Sequence, residues 1–354
     1  MKILHTADIH LAKHGDDRWK TLENLIGIGK QENVEVFVVS GDLFDKDFDA
    51  ENLRPQIREI FSNTGFQIVL IPGNHDSESY KGGTYFGKDV IVLTNPNEPL
   101  ECEDLRIWGL PFESIEGEGI LSKLRYLYGD LATDKVNILL YHGELLDAFF
   151  SRGDLGDEGE ARYMPVKLSY FRDLNIQYVL AGHFHSRFDV RKLENGGYFV
   201  YPGSPISITK GEIGQRKVNI FEVGNPPKEY PLSTPHFDWV SVQLDPSAEK
   251  NPVEILQERL QLVRPEARVL LTVGGYVNSE KIGVSEKELA KQLRDLAIAS
   301  CADEPRLEFA DIRAILEDDL FRSFVSKLEQ RNYDEETRKQ LRDLAIKAMM
   351  EARA

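Results

Sequence analysis

Five short polar clusters, each directly after an apolar run, carry the side chains of this 354-residue sequence that could do chemistry. They are Asp8-Ile9-His10, Gly41-Asp42-Leu43-Phe44-Asp45, Gly73-Asn74-His75-Asp76, Tyr141-His142-Gly143 and Gly182-His183-Phe184-His185. Five of the eight histidines in the chain lie in these clusters, which random placement would not produce. Because the carboxyl ends of neighbouring parallel strands meet at one edge of a sheet, we expect the clusters to form a single site.

Seven of these side chains are candidate metal ligands, and they combine carboxylate, amide and imidazole groups without cysteine. They are Asp8, His10, Asp42, Asn74, His142, His183 and His185. Such a set suits divalent ions such as Mn²⁺, Mg²⁺, Fe²⁺ or Zn²⁺. Seven ligands are too many for one ion and fit two ions that share a carboxylate. A two-metal site clamps the attacking and leaving oxygens of a phosphoryl displacement, so the pattern predicts a phosphoester hydrolase.

The apolar runs that precede the clusters predict the strands that must position them. These runs cover residues 2–6, 34–40, 67–71, 136–141 and 177–181. Strands and helices alternate up to about residue 223, which indicates an α/β domain over residues 1–223. The unbroken run Val36-Phe37-Val38-Val39 is typical of a strand covered on both faces.

The rest of the chain predicts a linker and two further parts. Residues 224–235 carry four prolines and predict an extended linker. Residues 236–300 predict a small α+β capping domain, and residues 301–354 predict a pair of amphipathic helices. These helices could pack on their own domain or dock a partner, and we favour docking because they follow a complete domain.

Composition and charge narrow the class of protein. The formal net charge of −16 argues against binding nucleic acid by bulk charge. It does not exclude a nuclease whose bound cations, or whose partner, meet the phosphates. Two isolated cysteines, Cys102 and Cys301, fit a reducing cytoplasm, and the sequence predicts neither a signal peptide nor a membrane span. No G-x-x-x-x-G-K-[ST] motif occurs, so the chain is not expected to be a P-loop ATPase itself.

The series D-x-H, G-D-x-x-D, G-N-H-D, H and G-H-x-H, in this order over residues 8–185, resembles the calcineurin-like metallophosphoesterase superfamily. The resemblance implies a sandwich of mixed β-sheets flanked by helices. It further implies two sets of metal ligands that share Asp42: Asp8, His10, Asp42 and His185 for one ion, and Asp42, Asn74, His142 and His183 for the other. By the same resemblance His75 would contact the phosphate and protonate the leaving oxygen, and Asp76 would orient His75 or close its turn.

A finer resemblance is to the SbcD nuclease subunits, relatives of the meiotic-recombination-eleven nuclease. It rests on segments 2–11, 40–45, 180–185 and 201–205. It implies a Mn²⁺-dependent DNA nuclease for double-strand-break repair and recombination, with 3′→5′ exonuclease and single-strand or hairpin endonuclease activity. It also implies a homodimer and an SbcC-type ABC ATPase whose coiled coil binds the C-terminal helices. Some members carry histidine where this chain has Asp45, so Asp45 is expected either to support a ligand or to be a solvated carboxylate.

Two alternatives stay open. The first is a stand-alone two-metal phosphodiesterase or phosphatase acting on nucleotides or another small phosphate ester. The excess of acidic over basic residues in the chain favours this alternative. A long loop at 143–165 also favours it, since the loop has six acidic residues and only two basic ones, Arg152 and Arg162. The second is a catalytically silent scaffold for the ATPase, which the intact ligand positions argue against. His5 lies inside a predicted strand and is expected to be packed rather than catalytic.

Overall fold

The protein is seen in a computed structural model that describes residues 1–81, 85–115, 117–147, 163–298 and 300–353. The chain forms two compact units, Met1–Phe237 and Asp238–Ala354. Among the described residues, no helix is both long enough and apolar enough to span a membrane.

The first unit contains two six-stranded mixed sheets. The strands of the first sheet are β1 (Lys2–Thr6), β2 (Val36–Ser40), β3 (Gln67–Ile71), β4 (Val90–Val92), β11 (Lys217–Glu222) and β12 (Glu229–Pro231), in the order β12-β11-β1-β2-β3-β4. Strands β1 to β4 are mutually parallel, and β11 and β12 continue the sheet in antiparallel pairing. The parallel strands therefore bring their carboxyl ends to one edge.

The second sheet repeats this design. Its strands are β5 (Leu100–Glu101), β6 (Leu105–Leu110), β7 (Val136–His142), β8 (Tyr178–Gly182), β9 (Asp189–Lys192) and β10 (Tyr198–Tyr201), in the order β5-β6-β7-β8-β10-β9. Its four central strands are parallel, and both edge strands are antiparallel to their neighbours.

Alternation along the strands divides the core of this unit into layers. One face of each sheet supplies the apolar layer between the sheets, for example Val38 and Val69 from the first sheet and Leu180 from the second. The outer faces pack against helices α1 (Asp17–Gln31), α2 (Asp47–Ile60) and α3 (Glu118–Tyr128) and the 3₁₀ turns Ser77–Tyr80 and Leu168–Phe171. The predicted sandwich of mixed sheets flanked by helices is thus confirmed.

Helix α1 illustrates how sequence sets these elements. Asp16 caps its first turn by accepting a hydrogen bond from the backbone of Trp19 at 2.8 Å. Leu22, Leu25 and Ile26 then recur at helical spacing and are buried against the first sheet.

The second unit is built on a three-stranded sheet with helices. Its elements are β13 (His236–Leu244), α4 (Pro252–Gln261), β14 (Ala267–Val277), α5 (Ser279–Ile282), α6 (Glu286–Ala297), β15 (Arg306–Asp311), α7 (Arg313–Leu316), α8 (Asp319–Glu329) and α9 (Glu335–Arg353). The sheet order is β13-β14-β15, and Leu256, Val273, Leu289 and Leu293 lie in its core. A smaller cluster around Ile312, Phe321 and Ile346 joins the last helices.

The observed boundaries differ from the predicted ones in two places. Residues 224–235, predicted as a linker, belong to the first unit, where Glu229–Pro231 forms the edge strand β12 and Leu232 is buried. Proline is tolerated at a sheet edge because no ladder partner needs its missing N–H, so a proline-rich segment can still pair. The predicted helical part, 301–354, begins with β15, because Arg306–Asp311 pairs with β14 in the small sheet.

Candidate metal centre

All five polar clusters lie at the carboxyl ends of parallel strands, as their spacing predicted. Asp8 follows β1, Asp42 follows β2, Asn74 follows β3, and His142 and His183 lie at the ends of β7 and β8. The two sheets meet at this edge, where His142 Nδ1 lies 2.8 Å from the carbonyl oxygen of Ser40. The site is therefore shared between both sheets.

The backbone at the site is unusual, because four candidate ligands have a left-handed conformation. The φ angles are 55° at Asp8, 52° at His10, 51° at Asp42 and 93° at His183. Non-glycine residues in this region cost on the order of 1–3 kcal/mol each and persist where surrounding structure enforces them, which is common at functional sites. The chain turns sharply after each strand, and these turns bring the ligands together.

The glycines of the motifs make room for the ligands. A Cβ atom at Gly41 would lie 2.0 Å from His142 Nδ1, and one at Gly73 would lie 2.0 Å from Asp42 Oδ1. A Cβ atom at Gly182 would lie 2.1 Å from the carbonyl oxygen of Ser40. Since these distances are far below van der Waals contact, only glycine fits beside the ligands at these positions.

The first group of ligands consists of Asp8, His10 and His185, whose ligand atoms all lie within 4.8 Å of one another. The Nε2 atoms of His10 and His185 are 3.3 Å apart, and His185 Nε2 lies 3.8 Å from Asp8 Oδ1. Burial lowers the pKa of His10 to about 4, so its ring is neutral at neutral pH. A neutral imidazole beside a buried carboxylate is a suitable ligand pair for a divalent cation.

The second group consists of Asp8, Asp42 and His142 and meets the same distance criterion. The carbonyl oxygen of Ser40 can only accept, so His142 Nδ1 carries the hydrogen and Nε2 keeps its lone pair in the neutral ring. That Nε2 atom faces Asn74 Oδ1 at 2.9 Å and Asp42 Oδ2 at 3.2 Å. Three electron-pair donors thus converge on one point.

Such a convergence requires positive charge. Burial alone would lower the pKa of His142, but the charge and hydrogen bond of Asp42 override it and raise the pKa to about 10. Without a cation these atoms are satisfied only if the ring is protonated, and a single N–H at Nε2 must then serve both Asn74 Oδ1 and Asp42 Oδ2. A divalent cation would satisfy all three atoms at once, so the residues fit a metal ion.

Asp42 lies between the two groups. Its Oδ1 accepts a hydrogen bond from the backbone N–H of His75 at 3.0 Å. Its Oδ2 lies 3.8 Å from His10 Nε2 and 3.2 Å from His142 Nε2, one ring from each predicted set. This is the geometry that a carboxylate shared by two ions needs.

His183 is close to these residues but belongs to none of the metal-ligand groups found among the described residues. Its backbone N–H donates to both carboxylate oxygens of Asp8, at 3.0 and 3.1 Å. Its ring centre lies 5.5 Å from that of His142 and 4.7 Å from that of Tyr163. Burial lowers its pKa, so the ring is neutral and keeps a lone pair.

His75 lies at the border of the site. It is half-buried, and its ring centre is 4.7 Å from that of His10 in an edge-on arrangement. His75 Nδ1 lies 3.0 Å from the carbonyl oxygen of Asp45, which fixes the ring and assigns the hydrogen to Nδ1. One ligand atom of His75 lies within 4.8 Å of those of His10 and Asp42.

Asp76 closes the turn that carries Asn74 and His75. Its Oδ1 accepts a hydrogen bond from the backbone of Gly73 at 2.8 Å, and its Oδ2 accepts one from Phe44 N at 3.1 Å. Burial and the nearby charge of Asp42 raise the pKa of Asp76 to about 7. These contacts close the turn, whereas neither of them orients the His75 ring.

Asp45 contacts a ligand rather than only solvent. Its Oδ1 lies 3.6 Å from His10 Nδ1 and accepts a hydrogen bond from Arg18 Nη1 at 2.8 Å. Arg18 also donates to the backbone oxygen of His10 at 2.6 Å. The interactions with His10 and Arg18 lower the pKa of Asp45, so the carboxylate is ionised, and its position opposite His10 Nδ1 orients the ring with Nε2 toward the site.

Glu212 and Arg216 support the other histidine, His185, and sequence reasoning missed both. The carboxylate of Glu212 is fully buried, and its Oε1 lies 3.5 Å from His185 Nδ1. The buried guanidinium of Arg216 donates to the backbone oxygens of His185, Ser186 and Ser204. Neither residue directly follows a strand, so a search for polar residues after apolar runs could not find them. A weaker signal was segment 201–205, which carried part of the resemblance and contains Ser204, a hydrogen-bond partner of both residues.

Comparisons with known proteins identify the family of the chain. The family model for calcineurin-like phosphoesterases matches residues 1–187. The SbcD subunit of the SbcCD nuclease of Staphylococcus epidermidis is 23% identical over 253 residues, and the match covers 61% of this chain and 64% of that protein. The chain thus covers less than two thirds of the length of this relative.

Two solved structures are similar in part. The protein TT1561 of Thermus thermophilus has 14% identity and a TM-score of 0.41, covering 61% of this chain and 92% of its own. A dimetal phosphatase from Danio rerio has 12% identity and a TM-score of 0.38, covering 62% and 91%. The family match, by contrast, spans more than half of the present sequence and includes all seven candidate ligands. The chain therefore belongs to the calcineurin-like phosphoesterase family.

Proposed function

We propose that the protein is the nuclease subunit of a DNA double-strand-break repair complex and hydrolyses DNA phosphodiesters with two divalent cations, Mn²⁺ in our proposal. The observation that carries the two-metal part is the buried Asp42 carboxylate, whose Oδ2 faces one histidine of each ligand group. The similarity to the SbcD subunit of the SbcCD nuclease supports the choice of DNA as the substrate.

The proposed ligands divide into two sets that share Asp42. One set is Asp8, His10, Asp42 and His185, and the other is Asp42, Asn74, His142 and His183. When bound, two cations supply an activated water at neutral pH and neutralise the charge that develops on the phosphoryl group. Asp45 and Glu212 hold His10 and His185 in the ring orientation that directs Nε2 into the site.

His75 is the proposed general acid. Its Nδ1 is held by the carbonyl oxygen of Asp45, so Nε2 is the nitrogen that can pass a proton to the leaving oxygen. The half-buried position gives the ring access to a bound substrate, while its backbone N–H to Asp42 keeps it beside the ligands.

The second unit and the charge of the chain motivate the proposed partners. With a net charge of −16, the chain needs either its cations or another protein to meet a DNA backbone. We propose an SbcC-type ABC ATPase, bound through α8 and α9, and a homodimer. The exposed Leu320 on α8 and Leu344 on α9 support docking on these helices, since large apolar side chains in contact surfaces are typical of interfaces.

The acidic character of the chain also favours a second candidate, a phosphodiesterase or phosphatase acting alone on nucleotides or another small phosphate ester. Of the six acidic residues in the loop at 143–165, Glu144 and Asp147 are described, and the other four lie outside the described residues. Glu144 follows the candidate ligand His142 by two residues, and negative charge there would repel a second DNA strand more than a mononucleotide.

Digestion of end-labelled DNA distinguishes the two candidates. Duplex and hairpin oligonucleotides are incubated with Mn²⁺ and the protein, alone and with an SbcC-type ATPase and ATP, beside bis-p-nitrophenyl phosphate. We expect cleavage of DNA, with a ladder from the 3′ end of the 5′-labelled strand, and loss of all activity in Asp42→Asn. Hydrolysis of the small diester together with intact DNA under every condition would favour the stand-alone enzyme instead.

A further inference from the structure

A cleft of about 870 Å³ opens beside the Gly73–Asp76 turn, since Pro72 and Ser77, the residues on either side of this turn, both line it. The residues that form its apolar walls include Pro72, Tyr80, Phe86, Val90, Val92 and Phe112. The cleft is built by the same chain segments as the site, because Pro72 directly precedes the Gly73–Asp76 turn. The Tyr80 hydroxyl also donates to Asp76, the carboxylate that closes this turn, at 3.2 Å.

Two partly exposed aromatic rings connect the metal centre to the cleft. The Tyr163 ring lies 4.7 Å from the ring of the candidate ligand His183, and the Phe112 ring lies 5.9 Å from that of Tyr163. Phe112 is fixed beside the active-site turn, since its backbone N–H donates to the carbonyl oxygen of Pro72 at 3.1 Å. We call Phe112 and Tyr163 the aromatic ledge.

The charges around the cleft are matched. Glu78 pairs with Lys81 at 2.5 Å, and Glu113 pairs with Lys123 at 2.5 Å. A phosphate group would therefore meet as much negative as positive charge there, whereas a flat uncharged group would not be repelled. The position and chemistry together suit a group that is attached to a phosphate but is itself neutral and aromatic.

We propose that the aromatic ledge and the cleft bind the nucleobase next to the scissile phosphate by stacking. The inference rests on the proposed phosphodiesterase function and adds a subsite to it. Every base has a π face, so stacking on Phe112 gives affinity without selecting one base. The enzyme then prefers nucleotide diesters over diesters that lack a base, and it does so independently of sequence.

The test compares thymidine 5′-(p-nitrophenyl phosphate) with methyl p-nitrophenyl phosphate, which has the same leaving group but no base. The readout is the ratio of the two kcat/KM values with Mn²⁺. We expect the wild type to prefer the thymidine ester and Phe112→Ala to reduce the ratio by about 5- to 150-fold. Two control variants should keep the wild-type ratio. Phe112→Tyr retains an aromatic ring, and Tyr126→Ala removes an exposed ring on α3 that lies outside the cleft. Phe112→Leu keeps an apolar side chain of similar bulk but not the ring, and should also reduce the ratio.

Two results would overturn the proposal. The ratio could stay unchanged in Phe112→Ala or Phe112→Leu, whether or not both kcat/KM values fall, or the wild type could hydrolyse both esters equally well. In each of these cases the phosphodiesterase function would stand without the base subsite. If the wild type hydrolysed neither ester with Mn²⁺, the proposed function itself would fail.

Discussion

Replacing Glu212 with glutamine tests whether a buried carboxylate behind His185 contributes to metal binding. Glu212 Oε2 accepts hydrogen bonds from Ser204 Oγ at 2.7 Å and from the backbone of Ile208 at 2.8 Å. Its Oε1 accepts from the backbone and hydroxyl of Thr209 at 3.1 and 3.2 Å and faces His185 Nδ1 at 3.5 Å. The carboxylate therefore has one backbone N–H and one hydroxyl partner at each oxygen.

These partners set the size of the effect. A glutamine side chain replaces one oxygen with NH₂, and although the hydroxyls of Ser204 and Thr209 can turn and accept, a backbone N–H cannot. Whichever oxygen is lost, the N–H of Ile208 or Thr209 is left buried without its acceptor, which costs about 1–3 kcal/mol of unfolding free energy. Loss of the charge opposite His185 Nδ1 should weaken one metal site by about 10- to 100-fold.

Two measurements follow, one on stability and one on metal affinity. Urea unfolding of chelator-treated protein gives the stability change, and calorimetric titration with Mn²⁺ gives affinity and stoichiometry. We expect Glu212→Gln to weaken one of two sites and leave the other unchanged. Glu194→Gln is the control, because Glu194 pairs with Arg172 on the surface, where ion pairs contribute little. If both sites in Glu212→Gln kept wild-type affinity while stability fell, Glu212 would only brace its loop, and the proposed orientation of His185 would be wrong.

Two further substitutions test the glycine at a strand exit and the buried histidine inside a strand. Gly41→Ala should weaken Mn²⁺ binding, measured by titration, more than the control Gly15→Ala does. Both glycines have a positive φ, 93° and 80°, but only at Gly41 would the added Cβ atom meet His142. Equal Mn²⁺ affinities in the two variants would contradict the packing argument. For His5→Leu we expect a smaller loss of stability on acidification. Burial lowers the folded-state pKa of His5 to about 3, and the Ala181 backbone offsets only part of this shift. Above the unfolded value of 6.5 no proton is bound in either state, and below it the unfolded chain takes one up first, so stability falls as pH drops from 6.5 toward 3. At pH 5 the wild type should have lost about 2 kcal/mol of unfolding free energy to this proton uptake, and His5→Leu should not lose it. Urea unfolding of the wild type and of His5→Leu at pH 7.5 and 5 measures the difference. The same pH dependence in both proteins would refute the conclusion that His5 is buried in its neutral form.

Much of the candidate site could be predicted from the sequence, because it depends on local pattern. Apolar runs of strand length fixed β1, β2, β3, β7 and β8, and the polar residues after each run had to lie at the same sheet edge. The metal-type chemistry of Asp8, His10 and Asp42 followed from side-chain type and spacing alone. The role of the motif glycines became clear only in the structure, where a Cβ atom at Gly41 or Gly73 would meet a ligand.

The parts that could not be predicted depend on tertiary contacts. Glu212 and Arg216 reach His185 from a loop that is distant in sequence, and nothing local marks them as buried. The four prolines of 224–235 indicated a chain break, yet the segment pairs with the sheet edge as β12, which contains one of them, Pro231. The sequence left two roles open for Asp76, orienting His75 or closing its turn. The choice between them depends on which groups contact its carboxylate, and these are the backbone N–H groups of Gly73 and Phe44.

The most direct test of the two-metal hydrolysis is the His75→Asn variant. His75 lies beside the ligands, with a ring nitrogen within 4.8 Å of ligand atoms of His10 and Asp42, and its Nδ1 is held by the carbonyl oxygen of Asp45. We predict that the variant still binds two Mn²⁺ per chain while kcat for DNA and for thymidine 5′-(p-nitrophenyl phosphate), measured beside the wild type, falls. The fall for DNA should be about 10²- to 10⁴-fold, as expected for loss of a general acid, and smaller for the p-nitrophenyl ester, whose leaving group needs little protonation. Full DNA cleavage by His75→Asn at unchanged metal content would contradict the account.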